Sequence, residues 1–183
     1  MSNIEILLIS LGLSMDAFSV AICKGLSINN IKWKTCIKIG TYFGLFQAVM
    51  PLLGYTLGTN FKDVIVAFDH WITFILLLLI GVNMVKGAYD KEEELTNETS
   101  PKIMIPLALA TSIDALAVGV TFAFLKVKLL KSILIIGSVT LILTTIGTNL
   151  GNKFGTKYKN KSQILGGIIL IVIGLKTLIE HLR

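Results

Sequence analysis

Six stretches of this chain are apolar for long enough to cross a bilayer, and that length decides what the chain can become. They cover residues 4–22, 35–58, 67–87, 103–125, 130–150 and 162–182. At ~1.5 Å of helical rise per residue, each reaches most or all of the way across a ~30 Å hydrocarbon core. Lipid offers no hydrogen bonds, so a spanning segment must satisfy its own N–H and C=O groups. Helices do this within one segment. Barrel strands would instead show as alternating segments of about ten residues, a pattern this sequence lacks. With 54% hydrophobic and only 15% charged residues, the chain is too apolar for a soluble domain. The expected fold is an all-α membrane protein with six transmembrane helices.

Two of the runs carry an aspartate near their middle. Ser14-Met15-Asp16-Ala17-Phe18-Ser19-Val20 is nearly repeated as Ser112-Ile113-Asp114-Ala115-Leu116-Ala117-Val118. A charge at that depth costs ~2.5–3.5 kcal/mol on insertion scales, so it is rarely present without a use. The repeat continues beyond the aspartates. Leu53-Gly54 and Gly58 close the second run as Leu150-Gly151 and Gly155 close the fifth. Gly40 is answered by Gly137, and Ile80-Gly81 by Ile173-Gly174. Each half then holds three helices in matched order. Because three is odd, the halves enter the membrane in opposite senses, the inverted-repeat plan of secondary transporters. The expected division is a first three-helix repeat over 1–88, a polar cytoplasmic linker over 89–101 and a second repeat over 102–183.

Charge sets the expected orientation. The formal net charge is +6, but the lysines lie between the apolar runs rather than on one basic face, which argues against nucleic acid. Eleven basic residues fall in the first, third and fifth loops and six on the opposite side. The excess places the odd loops in the cytoplasm and both termini outside. Glu92-Glu93-Glu94 in the linker is read as solvated charge. The N-terminus lacks the basic region and cleavage site of a signal peptide, so the first run is expected to remain as a helix. Cys23 and Cys36 flank the first loop and are read as reduced, inert thiols at the cytoplasmic end.

The residues beside the aspartates suggest what they bind. Asp16 has Gly12, Ser19 and Cys23 on its helical stripe, while Asp114 has Ala110, Thr111, Ala117 and Thr121. Both stripes are small and weakly polar, so two carboxylates can face one another across a pseudo-twofold axis. Two unpaired carboxylates in low dielectric repel, and a divalent cation between them removes the conflict. Hydrogen-bonded packing of the aspartates between helices is the structural alternative. In the second run, Pro51 lacks the N–H that would bond to the Gln47 carbonyl. That carbonyl and the Gln47 amide are further candidate ligands, as are Thr144 and Asn149 in the unusually polar fifth run. Asp69-His70-Trp71 opens the third run. Trp71 suits the aromatic belt, Asp69 a helix cap, and Asp69 with His70 a possible gate. Carboxylate, amide and hydroxyl oxygens suit Mg²⁺, Ca²⁺ or Mn²⁺, and the residues alone do not choose among them.

Several of these motifs resemble one family. They are Gly12-Leu13-Ser14-Met15-Asp16-Ala17-Phe18; Gly44 with Gln47, Pro51, Leu52 and Gly54; His70-Trp71; and the run from Ala110 to Val120 around Asp114. Together they look like the manganese efflux pump family, MntP, along essentially the whole chain. The resemblance implies a multi-pass protein of the bacterial cell membrane that exports Mn²⁺ from the cytoplasm. It also implies that Asp16 and Asp114 match the family's essential aspartates. Position 47 is Gln here where some members carry Glu. The expected metal ligands are Asp16, Asp114, Gln47, Thr111, Thr144 and Asn149, with no resident cofactor and Mn²⁺ as cargo. A LysE-like exporter of another cationic solute is the alternative, its aspartates pairing with an ammonium group. A membrane redox or peptidase enzyme would need a Cys pair or a Ser/His dyad at depth, which the positions of Cys23, Cys36 and His70 do not supply. With no P-loop, transport would draw on ion gradients or a partner.

Overall fold

The computed structural model of the chain describes residues 3–28, 31–57, 71, 74–75, 78–79, 81–82, 85, 99–124, 127–155, 164, 168–173, 175–176 and 178–179. Through them run α1 (Asn3–Ser27), α2 (Trp33–Leu57), α3 (Pro101–Ala110), α4 (Ile113–Phe124) and α5 (Leu129–Gly155). The other described residues between 71 and 85 and between 164 and 179 are also helical, and no strand occurs among the described residues. α1, α2 and α5 are each long and apolar enough to cross a membrane. α3 and α4 together pass the same test as one span bent by 49°. The expected runs 4–22, 35–58 and 130–150 thus correspond to continuous helices. Most of 67–87 and of the linker, and about half of 162–182, lie outside the described residues.

Along α1, polar side chains fold back onto their own helix. The hydroxyls of Ser10, Ser14 and Ser19 donate to the carbonyls of Ile6, Ser10 and Met15 at 2.6, 2.6 and 2.9 Å. α1 closes as the N–H of Ile28 turns back to the Gly25 carbonyl, and α2 opens with the N–H groups of Thr35 and Cys36 on Lys32. α3 starts at an extended Ser100 (φ −68°, ψ 146°) with Pro101 in the first helical position. The missing proline N–H would have lacked a helical partner there anyway.

The run 103–125, expected as one helix, is broken at Thr111 and Ser112. Pro106 inside α3 lacks the N–H that would reach the Lys102 carbonyl. At the break, the Ser112 N–H bonds to Leu109, three residues back, instead of Ala108. The Ser112 hydroxyl takes the Ala108 carbonyl at 2.7 Å, and the Thr111 hydroxyl reaches Leu107 and Ala108 at 3.1 and 3.2 Å. Adjacent hydroxyls thus replace part of the backbone ladder. At the matching point of α1, Leu13 precedes Ser14, so a single hydroxyl is present and the helix continues.

Small residues let the helices touch backbone to backbone, the usual mode of association where lipid removes the hydrophobic drive between helices. α1 packs parallel to α5, with Ser14 on Thr140 and Gly151 under the Ile22 carbonyl. α2 runs parallel to α3 and α4, with Lys38 bonded to Thr99 at one end and Gly54 under the Leu116 carbonyl at the other. α2 crosses α5 antiparallel. There Gly40 meets Leu141 and Thr145, Gly44 meets Gly137 and Leu141, and Gly137 meets Ala48.

Candidate functional site

The apolar side chains gather into two clusters. One is built from Ala17, Val20, Ile39, Phe43, Met104, Leu107 and Ala110, among others. The other holds Leu13, Met50, Ala115, Phe122 and Ile136. On α1, α2 and α3–α4, polar residues fall in the interval between the clusters, although Ser10, Ser132, Thr148 and Asn152 are buried outside it. Ser14 and Asp16 lie between Leu13 and Ala17, Gln47 between Phe43 and Met50, and Thr111, Ser112 and Asp114 between Ala110 and Ala115. Thr140 and Thr144 follow Ile136 on α5. Ser14, Gln47, Ser112, Thr140 and Thr144 have no exposed surface, and Thr111 has 3%. A polar layer therefore divides the apolar interior.

Direct bonds tie this layer together. The hydroxyls of Ser14 and Thr140 meet at 2.7 Å. Gln47 Nε2 donates to the Leu13 carbonyl at 3.1 Å. A carbonyl only accepts, so this bond fixes the amide with its nitrogen toward α1 and its oxygen turned away. Gln47 Oε1 is buried and has no hydrogen-bond partner. Its main-chain carbonyl also lacks a helical donor, because residue 51 is proline. One residue thus brings two under-used oxygens into the layer. Among the described residues, Thr145 Oγ1 is the other buried side-chain oxygen without a partner, but it is packed against Gly40 at the α2–α5 crossing.

The two aspartates occupy unlike positions. Asp114 is half-buried in the first turn of α4, where its Oδ1 accepts the Ala115 N–H at 2.8 Å. The break thus gives its carboxylate the positive end of a half-helix. Asp16 lies on the exposed side of continuous α1, beside exposed Met15 and an open Gly12. The cause is angular. Ser14 faces α5, and two residues further along a helix is about 200° around its axis. The small-residue stripe expected around Asp16 is likewise divided, since Cys23 is buried in the first cluster and Ser19 is half-buried.

Of the other expected ligands, Thr111 and Thr144 lie inside the layer with their hydroxyls donated to backbone carbonyls, leaving lone pairs available. Asn149 is half-buried. Asp69 and His70 lie outside the described residues. Sequence reasoning passed over Ser112, Thr140 and Asn152. Asn152 Nδ2 donates to the carbonyls of Gly25 and Ile28, and its Oδ1 accepts the Ile31 N–H at 3.3 Å, so it closes the α1–α2 turn. Its place one turn beyond Thr148 on a stripe of hydroxyl residues was the available clue. Among the described residues, no three His, Cys, Asp or Glu side chains converge. The layer instead offers neutral oxygens alongside the half-buried Asp114 carboxylate, with Asp16 on the exposed side of α1; oxygens of these kinds suit a hard or borderline cation.

Comparison with known proteins gives a consistent picture. The sequence family described as "Putative manganese efflux pump" matches residues 30–178. A protein of Desulfitobacterium hafniense (strain Y51) named "Putative manganese efflux pump MntP" is 52% identical over 182 residues, covering 100% of this chain and 97% of that protein. Its namesake in Mannheimia succiniciproducens is 50% identical over 184 residues, covering 99% and 98%. That of Acetivibrio thermocellus is 52% identical over 185 residues, covering 100% and 93%. No solved structure matches the chain.

Proposed function

Because the chain belongs to the manganese efflux pump family, we propose that it is a secondary-active exporter of Mn²⁺ from the bacterial cytoplasm. The observation that carries this reading is the buried polar layer, with Gln47 Oε1 unpartnered inside it and Asp114 at a half-helix N-terminus. Asp16 and Asp114 supply the two negative charges that balance a divalent ion. Gln47, Thr111, Thr144 and Asn149 complete the shell with neutral oxygens. Asp16, on the open side of α1, is the carboxylate an arriving ion meets first, and Asp114 receives it deeper in. Asp69 and His70 remain candidates for a gate. The family is one of transporters rather than enzymes.

The six-span inverted repeat is part of the same proposal, and helix directions support it. α2 ends at one membrane face, whereas α3, running parallel to it, begins at the face where α2 began. These directions support a third span between them. The α2–α5 crossing supports the twofold relation. Shifting by the 97 residues that separate Gly40 from Gly137 turns Gly44–Gly137 into Gly40–Leu141, and Ala48–Gly137 into Gly40–Thr145. The Gly44–Leu141 contact maps onto itself. Odd loops in the cytoplasm and outward termini follow from the basic-residue excess.

The test is Mn²⁺ uptake by everted membrane vesicles, run beside Mg²⁺, Ca²⁺ and lysine. Asp16→Asn and Asp114→Asn keep shape but remove a charge, and each should lower Mn²⁺ transport by more than the roughly 10–100-fold typical of losing an outer-shell partner. Asp→Glu should keep partial activity at best. Normal transport by a fully inserted Asp114→Asn protein would overturn the paired-carboxylate site. Transport of lysine but not Mn²⁺ would favour the cationic-solute exporter.

A further inference from the structure

We propose that Gln47 is the residue that discriminates against Mg²⁺, a selectivity that rests on the Mn²⁺-export reading above. Three features of its environment lead there. Its side chain has no exposed surface. Its amide is locked by the Leu13 carbonyl at 3.1 Å, so Oε1 has one fixed direction. That oxygen has no competing hydrogen bond. An ion can engage such a ligand only by giving up a water molecule for it, because Gln47 has no surface open to solvent.

Mg²⁺ and Mn²⁺ have the same charge and take similar oxygen ligands, so the two aspartates alone separate them poorly. They differ in how readily they shed water. Mg²⁺ dehydrates reluctantly and binds proteins with several waters retained. Mn²⁺ accepts carboxylate, carbonyl and water oxygens in mixed sets. A dry, pre-aimed amide oxygen therefore favours Mn²⁺ by exclusion. Neutrality matters as well. A carboxylate at position 47 would attract Mg²⁺ through its water shell and would be repelled by the Leu13 carbonyl that now orients the amide.

The experiment measures Mn²⁺ uptake into everted vesicles against rising Mg²⁺ and reports the ratio of the Mg²⁺ inhibition constant to the Mn²⁺ KM. Gln47→Met keeps volume and removes the oxygen, while Gln47→Glu keeps an oxygen and adds charge. Both should retain measurable uptake and lower the ratio by roughly tenfold, the low end of what perturbing a metal-site partner produces. A residue that only packs α2 against α1 would change the transport rate and leave the ratio unmoved. A ratio within twofold of wild type in either inserted variant overturns the assignment. If Gln47→Met fails to insert, the Gln47→Glu ratio decides alone. Absence of Mn²⁺ uptake by the wild-type protein would instead remove the exporter reading, and this inference with it.

Discussion

Replacing Gly44 by alanine puts a methyl group into the centre of the α2–α5 crossing. Its Cβ would stand 2.7 Å from the Gly137 carbonyl oxygen, 2.8 Å from Leu141 Cβ and 3.3 Å from Leu141 Cα. None of these neighbours is the loose end of a flexible side chain. Restoring the ~3.5 Å of an unstrained contact requires the helices to part by about 0.8 Å. Gly44 lies at the middle of the crossing, so the contacts of Gly40 with Thr145 and of Gly137 with Ala48 loosen together. Overpacking of this kind costs ~1–3 kcal/mol, offset by ~0.5–1 kcal/mol from replacing a helical glycine. A net loss of about 1 kcal/mol corresponds to a melting temperature lower by roughly 2–4 °C for a chain of this size. Gly12→Ala is the control, since nothing lies within 4 Å of its added methyl. It should melt at or slightly above the wild-type temperature. The assay is thermal unfolding of the detergent-purified protein, followed by the fraction remaining monodisperse on size exclusion. Gly40→Ala, which meets a backbone carbonyl at 2.8 Å, should approach Gly44→Ala. Gly137→Ala, whose nearest neighbour is the Ala48 methyl at 2.9 Å, should cost less. Equal melting of Gly44→Ala and Gly12→Ala would refute the close crossing, and with it the geometric support for the twofold relation.

Two further outcomes follow from burial and hydrogen bonding. Cys23 and Cys36 are 1% and 0% exposed, so a membrane-impermeant thiol reagent should label neither in intact cells nor in everted vesicles until the protein is denatured. Lys34→Cys, at an exposed position, should report sidedness instead, labelling in everted vesicles and remaining silent in intact cells. Asn152→Ala removes the bonds to Gly25, Ile28 and Ile31 and should lower stability by ~1–3 kcal/mol. It should also speed tryptic cleavage at Lys32 and Lys34. Unchanged melting and cleavage would mean that the turn stands without it.

Helix placement was legible where it depends on hydropathy alone. Runs 4–22, 35–58 and 130–150 became α1, α2 and α5 with shifts of a few residues at most ends. The break at Thr111 and Ser112 escaped that reading because hydropathy records how apolar a residue is, not which carbonyl its N–H selects. Thr111, Ser112 and Pro106 carried the information as hydrogen-bonding chemistry. The face of Asp16 was hard to read for a related reason. α1 is apolar nearly all round, so the pattern weakly distinguishes the side against α5 from the side turned outward. Gln47 was singled out through Pro51, but that its oxygen would be oriented by Leu13 depends on a contact 34 residues away in sequence.

The hold of Asn152 on the α1–α2 turn has a consequence for biosynthesis. The Ile31 N–H waits for a side chain made 121 residues later. At ~5–20 residues per second, translation takes roughly 6–25 s to cover that separation. Throughout that interval the nascent α1–α2 hairpin carries unmet polar groups at its tip, and in hydrocarbon each would cost several kcal/mol. The tip is therefore held at the aqueous face of the membrane from the moment it emerges. The hairpin's sidedness is fixed before α5 exists, and the arrival of Asn152 locks a turn whose side of the membrane was already chosen.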